Sequence, residues 1–424
     1  MTDRVIPDGW EATTTAELIR EKALLIGDGY RAKNSEFVAG GGLPFIRVGD
    51  ITNRVCTEGR DELPLSRVEH YEPKVSQTDD SLITMKGTVG RVARVSSTTR
   101  RFVYSPQISF WRVRDPLRLS PHFVSYWLRS PAFAEQAFAT KSGTDMADYI
   151  NLRDQRRMGL LLPPLATQQR VAAVLSAFDE LIEINERRIE LLEDLARSVY
   201  REWFVRFRFP GHHDAKLVES ELELTPEGWE VRSLFDVADV GFGFPFKSGR
   251  FSDLGAFPVI RIRDVPRGAT ETKTDEHAPD RYRVVEGDIL VGMDGEFHVR
   301  QWSGGEAWLN QRVARLRPTN RLSARHLMLA VMGPIRAWNE SITGTTVAHL
   351  GKRHLELVNI LTPPSTVLAV ASPAFDRIAE WERHLIGTNR RLAATRDLLL
   401  PRLVTGLLDI SDIDLGDLLP LEAT

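Results

Sequence analysis

The chain contains one cysteine, Cys56, which excludes an intrachain disulfide and leaves no basis for a cysteine-ligated zinc site. No stretch approaches about 18 uninterrupted apolar residues, and the opening MTDRVIPDGW lacks the apolar core of a signal peptide. A cytoplasmic protein without membrane spans is expected. Catalytic signatures are missing too. There is no GxxxxGK[ST], HExxH or GxSxG, and no Asn/Asp-Pro-Pro-aromatic motif of an amino methyltransferase. GFGFPFKSG (241–249) is rich in glycine but is not a GxGxxG dinucleotide loop. The histidines are scattered, and His212-His213 reads as a surface pair rather than a metal site. No catalytic residue, metal or cofactor is therefore expected in this chain.

What is present is ordinary in bulk and unusual in arrangement. The 424 residues are 42% hydrophobic and 27% charged, as in a folded protein. At roughly 100–200 residues per domain, two or three domains are expected. The net charge of −3 conceals two basic stretches. Lys86, Arg91, Arg94, Arg100, Arg101, Arg112, Arg114 and Arg118 face a single acid, Asp115. Arg300, Arg312, Arg315, Arg317, Arg321 and Arg325 face only Glu306. A local basic face, rather than the overall sum, is what attracts a polyanion.

The chain also repeats itself. LPFIRVGDI (43–51) is answered by FPVIRIRDV (257–265), and Pro7-Asp8-Gly9-Trp10 by Pro226-Glu227-Gly228-Trp229. DSLITMKGTVGRV (80–92) is answered by DILVGMDGEFHVR (288–300), and GLLLPP (159–164) by NILTPP (359–364). Gln107 is paired with Gln311, Arg112 with Arg315, Arg114 with Arg317, and Gly143-Thr144 with Gly344-Thr345. So long a period is two copies of one domain, not a solenoid. Scaffold phrases kept over diverging loops predict two sites of one kind with different specificities.

Each copy ends in a helical pattern. From Thr167 to Arg206 there is no Gly or Pro, and apolar residues fall on a heptad: Leu175, Ile182, Ile189, Ala196 and Trp203 in one column, Phe178, Asn185, Leu192 and Val199 in the next. Such a helix is on the order of 55–60 Å long. The second copy offers Ile378, Leu385, Leu392 and Leu399, with Trp381, Thr388 and Thr395 beside them. A sustained heptad demands a partner, and the other copy, running antiparallel, supplies it. Polar residues in the columns, Asn185 among them, are expected to set the register. Leu181, Leu191 and Leu195 widen the stripe beyond one partner and point to a further docking protein. The expected layout is α+β. Residues 1–160 form one globular domain with a mixed sheet and helices, 161–208 a spacer helix, 209–358 the second domain, and 359–424 the second helix with an acidic tail.

Two domains on a stem suit a linear ligand, and duplex DNA fits the basic stretches. Arginines alternating with apolar residues, as in Trp111-Arg112-Val113-Arg114, are expected to put charge on one strand face for phosphates. Half-sites read from one side lie roughly 34 Å apart, and a long stem is of the right order for a ruler. Candidate contacts in the first copy are Lys86, Thr88, Arg91, Arg94, Arg100, Arg101, Gln107, Arg112 and Arg114. In the second they are Lys247, Ser248, Arg250, Asp294, Arg300, Gln311, Arg312 and Arg315. Arg and Lys suit guanine, and Gln and Asn suit adenine. Candidate stem or partner contacts are Leu175, Phe178, Ile182, Asn185, Ile189, Leu192, Ile378, Trp381, Leu385 and Leu392.

PFIRVGDI, KGTVGRV, GDILVGMDGEF, GFPFKSG and the stretch LPPLATQQRVAAVLSAFDELIEINERRIELLEDLARSVYREWF resemble the specificity subunit of type I restriction-modification systems over almost the whole chain. The second helix matches less closely, with SerThrValLeuAlaVal after Pro363-Pro364. The resemblance implies two target recognition domains reading a bipartite, gapped DNA site. It implies two methyltransferase subunits docked on the helices, and a restriction and translocation subunit that joins them. S-adenosylmethionine, ATP and magnesium would be used in those partners, for adenine-N6 methylation and ATP-dependent cleavage. It places Lys86–Arg91 and Phe246-Lys247-Ser248 on DNA-facing loops. Asp294, standing where the first copy has Lys86, is expected to accept from a base amino group. The competing reading is a duplicated scaffold that binds only proteins.

Overall fold

The repeated phrase LPFIRVGDI becomes one short strand, Leu43–Ile46, closed by a 3-10 turn in which Asp50 accepts from the Arg47 amide at 2.8 Å. FPVIRIRDV does the same with strand Phe257–Ile260, and Asp264 accepts from the Arg261 amide at 2.9 Å. This computed structural model describes residues 6–139, 149–220, 223–319, 321–341 and 349–410. The Gly143-Thr144 and Gly344-Thr345 pairs and the tail beyond 410 lie outside the described residues.

The chain divides into two units, Met1–Ile182 with Arg391–Thr424, and Glu183–Arg390. Each unit holds one copy of the repeat. In the first, an antiparallel sheet runs Leu24–Asp28, Ile108–Val113, Ser81–Thr84, Val92–Arg94. A smaller sheet places Leu43–Ile46 between Glu62–Leu63, antiparallel, and Val103–Tyr104, parallel. In the second unit the order is Ala238–Phe242, Val313–Pro318, Ile289–Gly292, Val299–Gln301. Its smaller sheet again places Phe257–Ile260 parallel to Ala307–Leu309. In both, the phrase before the double proline is a strand, Gly159–Leu162 or Asn359–Thr362, that leads into a long helix.

The observed registers correct the pairing of the two copies. Leu82 faces Phe110 and Leu290 faces Arg315, so Arg315 stands where Phe110 does. Arg112 therefore corresponds to Arg317, and Gln107 to Arg312. The ion pairs agree. Arg112 grips Asp80 through Nε and Nη2 at 2.6 and 2.7 Å, and Arg317 grips Asp288 in the same way at 2.5 and 2.7 Å. Each Asp also closes a turn, accepting from the amide of Gln77 or Val285. Sequence pairing went astray because VxRxR offers two arginines two residues apart, the period of a strand. A second duplication confirms the register. An added Cβ at Gly27 would fall 2.6 Å from the Phe110 ring, and one at Gly241 3.1 Å from the Arg315 guanidinium. In both copies glycine makes room for the large residue across from it.

The long helices are Leu165–Tyr200, continued by a π-helical turn Arg201–Val205, and Ser365–Val404. In the second unit Asn185 donates to Asn389 at 2.8 Å, and the Phe204 and Phe375 rings pack tilted, with centroids 6.0 Å apart. In the first unit Arg396 donates to Asp179 at 2.5 Å, while Val171 and Leu175 share a core with Leu400 and Leu403. Within each unit the two helices run antiparallel, as the heptads predict. The seam on the second helix differs from the predicted columns. Phe375, Ala379, Glu382 and Leu385 are buried, whereas Trp381 is 58% exposed and Thr395 is exposed. The reason is Glu382, a buried carboxylate paired with Arg325 of the adjoining helix Ala324–Ser341. A charged residue in a core position hides the seam from a hydrophobic count. Burial pushes the Glu382 carboxyl up and the Arg325 guanidinium down, and each is the other's compensation.

Candidate nucleic-acid interface

In each unit, chain segments distant in sequence meet at one end of the two central strands of the larger sheet. In the first unit the Met85 amide donates to Gln107 O at 2.7 Å, and the Ile150 amide to Met85 O at 3.1 Å. In the second, the Met293 amide donates to Arg312 O at 3.0 Å, and the Leu350 amide to Met293 O at 2.7 Å. Lys86 bridges to Tyr149, and Asp294 bridges to His349 in the same way. A further loop joins them. In the second unit Phe244 donates to Leu309 O and accepts from the Gln311 amide. In the first, Tyr30 donates to Tyr104 O at 2.7 Å. The buried framework is thus written twice.

The exposed and partly exposed residues on that framework differ. Lys86, Gln107 and Tyr149 stand in the first copy, and Asp294, Arg312 and His349 in the second. In the second copy Arg312 Nε lies 3.1 Å from Asp294 Oδ2, and His349 Nδ1 lies 2.6 Å from Asp294 Oδ1. Facing a carboxylate, Nδ1 carries the ring proton. Both oxygens of the Asp294 carboxylate thus have a partner within the chain, Arg312 or His349. The groups it leaves outward are cationic or imidazole.

Several predicted contacts stand exposed: Lys86, Thr88, Arg91, Arg100, Arg101, Gln107, Arg114, Lys247, Ser248, Arg250, Gln311 and Arg312. Some of these are tethered. Arg91 donates to Ile51 O, Arg100 pairs with Glu62, and Arg101 with Glu72. Arg94 is half-buried against Asp79, and Arg300 donates to Pro266 O at 2.8 Å. Two predictions are overturned. Arg112 and Arg315 are each 4% exposed, so neither belongs to a phosphate-facing surface. Arg112 completes a buried network with Asp80 and Tyr104, whose phenol is pushed up by burial and then by the Asp80 charge. Arg315 is held by Asp239 at 2.8 Å and by the carbonyls of Arg281 and Arg283. The strand alternation was correctly read, but both faces of that central strand are covered.

Residues overlooked in the sequence include Tyr149 and His349, at the same strand ends, and Lys33. Tyr149 and His349 were missed because they sit far along the chain from the loops they join. Lys33 occupies in the first copy the place of Lys247, each just before a 3-10 turn (Asn34–Glu36, Ser248–Arg250). The spacing from the glycine that abuts the smaller sheet, Gly29 or Gly243, marks the match.

On the stem, Leu175 and Leu385 are buried within the chain at 0% and 7% exposure and build the helix packing. Phe178, Ile182, Ile189, Leu192, Ile378 and Leu392 are partly covered. Leu181, Ile184, Leu191 and Leu195 are about half exposed on the first helix. In the second unit Leu192, Leu195, Val199, Val370, Ile378 and Trp381 line an apolar groove of about 490 Å³. Among the described residues no cluster suited to a metal ion occurs, and no helix is long and apolar enough to cross a membrane.

The structure keeps one sheet framework twice under different exposed tips, each copy joined to antiparallel helices. The family model for the type I restriction modification DNA specificity domain matches residues 7–194 and 226–367. The specificity subunit of the EcoBI type I restriction enzyme of Escherichia coli is 31% identical over 194 residues, 44% of this chain and 41% of that protein. That of the MjaIX enzyme of Methanocaldococcus jannaschii is 23% identical over 402 residues, 88% of each chain. The crystal structure of a type I system S subunit from M. genitalium superposes with a TM-score of 0.52 at 16% identity, covering 97% of this chain and 99% of that one, which shows a common fold. The chain belongs to the family of type I restriction-modification specificity subunits, with two copies of the specificity domain. Such a subunit confers DNA sequence specificity and is not itself catalytic.

Proposed function

We propose that each unit reads one half of a bipartite, gapped DNA site, and that two methyltransferase subunits dock on the long helices. A nuclease and translocase subunit joins them in the cytoplasm. S-adenosylmethionine, ATP and magnesium serve adenine methylation and cleavage in those partners, beside the DNA that this chain selects. The observation that carries this reading is the doubled framework with unlike residues at its surface, Lys86, Gln107 and Tyr149 against Arg312, His349 and the partly exposed Asp294. One fold presenting two different sets of donors and acceptors is what an asymmetric site requires. The exposed leucines of the first helix and the apolar groove beside Trp381 support docking there.

A scaffold that binds only proteins is the competing reading, and salt separates the two. Duplex binding by the chain with its methyltransferase subunits should weaken by about a thousandfold between 50 and 200 mM salt. Absence of duplex binding at low salt would favour the scaffold.

A further inference from the structure

Gln107 in one copy and Arg312 in the other occupy one equivalent, exposed position. We infer that Arg312 reads a guanine, oriented by Asp294, and that Gln107 reads an adenine. The inference rests on the proposed DNA-reading function and names the residues that set its specificity.

Three observations lead here. First, the two residues are equivalent in space, not merely in motif. Each accepts, through its backbone carbonyl, from the amide of the corresponding methionine, Met85 or Met293. Their side chains therefore leave the framework from the same point. Second, both are exposed although the strands that follow them are buried: Ile108 and Val313, one residue on, are each 0% exposed. The exposed tip sits on a rigid base, which limits the entropy lost on contact. Third, the chemistry is base-specific. A guanidinium matches the paired acceptors O6 and N7 of guanine, and a carboxamide matches N6 and N7 of adenine.

Asp294 decides which edge of Arg312 is presented. Its Oδ2 is 3.1 Å from Arg312 Nε, and Nη1 lies 3.5 Å from His349 Nδ1, so Nη2 and the outer hydrogen of Nη1 point away from both partners, toward an end-on bidentate contact. His349 holds the other carboxylate oxygen at 2.6 Å and fixes the carboxylate in turn. An ion pair between groups 54% and 28% exposed adds little stability. Orientation of the guanidinium is the more consequential result. In the first copy Lys86 stands in place of Asp294, and a neutral carboxamide needs no acidic buttress. The change from Asp to Lys and the change from Arg to Gln thus belong together.

The test is the methylated motif in a host carrying the full chain with its methyltransferase subunit, determined by single-molecule sequencing. The unaltered chain should give a motif with a fixed guanine in one half and a fixed adenine, besides the methylated one, in the other. Arg312→Ala should relax the guanine alone, lowering discrimination there on the order of 10- to 100-fold. Gln107→Ala should relax one position in the opposite half. Asp294→Asn should weaken the same guanine as Arg312→Ala and no other position, whereas a merely structural role would depress methylation at every site alike. A gapped motif that keeps its guanine in the Arg312→Ala and Arg312→Gln variants would overturn the inference while leaving the DNA-reading function standing. Loss of any chain-dependent motif with the unaltered chain would instead overturn the function itself.

Discussion

His326 offers the sharpest thermodynamic prediction. Its ring is 0% exposed and lies among Phe204, Tyr200 and Phe375, at centroid distances of 4.1, 5.6 and 5.8 Å. Neither ring nitrogen has a hydrogen-bond partner among the described residues. Burial alone pushes its pKa from 6.5 to about 3. In the first copy the matching Leu-Ser-x-x-x phrase carries Phe123, also 0% exposed. His326→Phe therefore installs what the other copy already uses. At pH 7 it should stabilise the second unit by about 1–3 kcal/mol, because an unpaired buried polar group is removed. The pH dependence isolates the effect further. Below pH 6.5 the unfolded chain takes up a proton that the folded chain refuses, so native stability falls as pH falls until about pH 3. At about 1.4 kcal/mol per pH unit, lowering the pH from 7 to 5 should widen the gap between variant and parent by about 2 kcal/mol. Packing changes in the variant act equally at both pH values and cancel from that difference. Calorimetry should show the melting-temperature gap growing by roughly 4–8 °C. A gap of the same size at pH 7 and pH 5 would refute the reasoning.

Arg112→Met should cost about 3–5 kcal/mol in thermal unfolding, because it strands the buried Asp80. Arg317→Met, whose side chain is 36% exposed and solvent-screened, should cost clearly less. Asn185→Ala and Asn389→Ala should each destabilise, and a double-mutant cycle in urea should return a coupling of about 1 kcal/mol for their hydrogen bond. Lys86→Ala should reduce the slope of log affinity against log salt by about 0.9 while the methylated motif stays the same, if Lys86 contacts phosphate.

The duplication and the antiparallel helices were legible because they rest on repeated apolar phrases and on heptads, which packing enforces over long stretches. The register between the copies was not, since two arginines at strand spacing fit either alignment and only the carboxylates Asp80 and Asp288 decide between them. Arg112 and Arg315 were misplaced for a related reason: a buried arginine and a surface arginine look alike until their partners are seen. The seam of the second helix was missed by one position because Glu382 is polar in sequence and buried in the fold. At the candidate interface, Lys86, Gln107 and Arg312 were recognisable by residue type. Tyr149 and His349 became neighbours only through long-range bridges that no local pattern encodes.

The central claim is that this chain selects the DNA sites its partners modify, one half through each unit. Methylome sequencing of a host carrying the chain and its methyltransferase subunit, against the same host lacking the chain, tests it most directly. The account predicts a bipartite, gapped adenine-methylation motif that vanishes when the chain is deleted. An unchanged methylome, with the methyltransferase shown to be expressed and active, would contradict it.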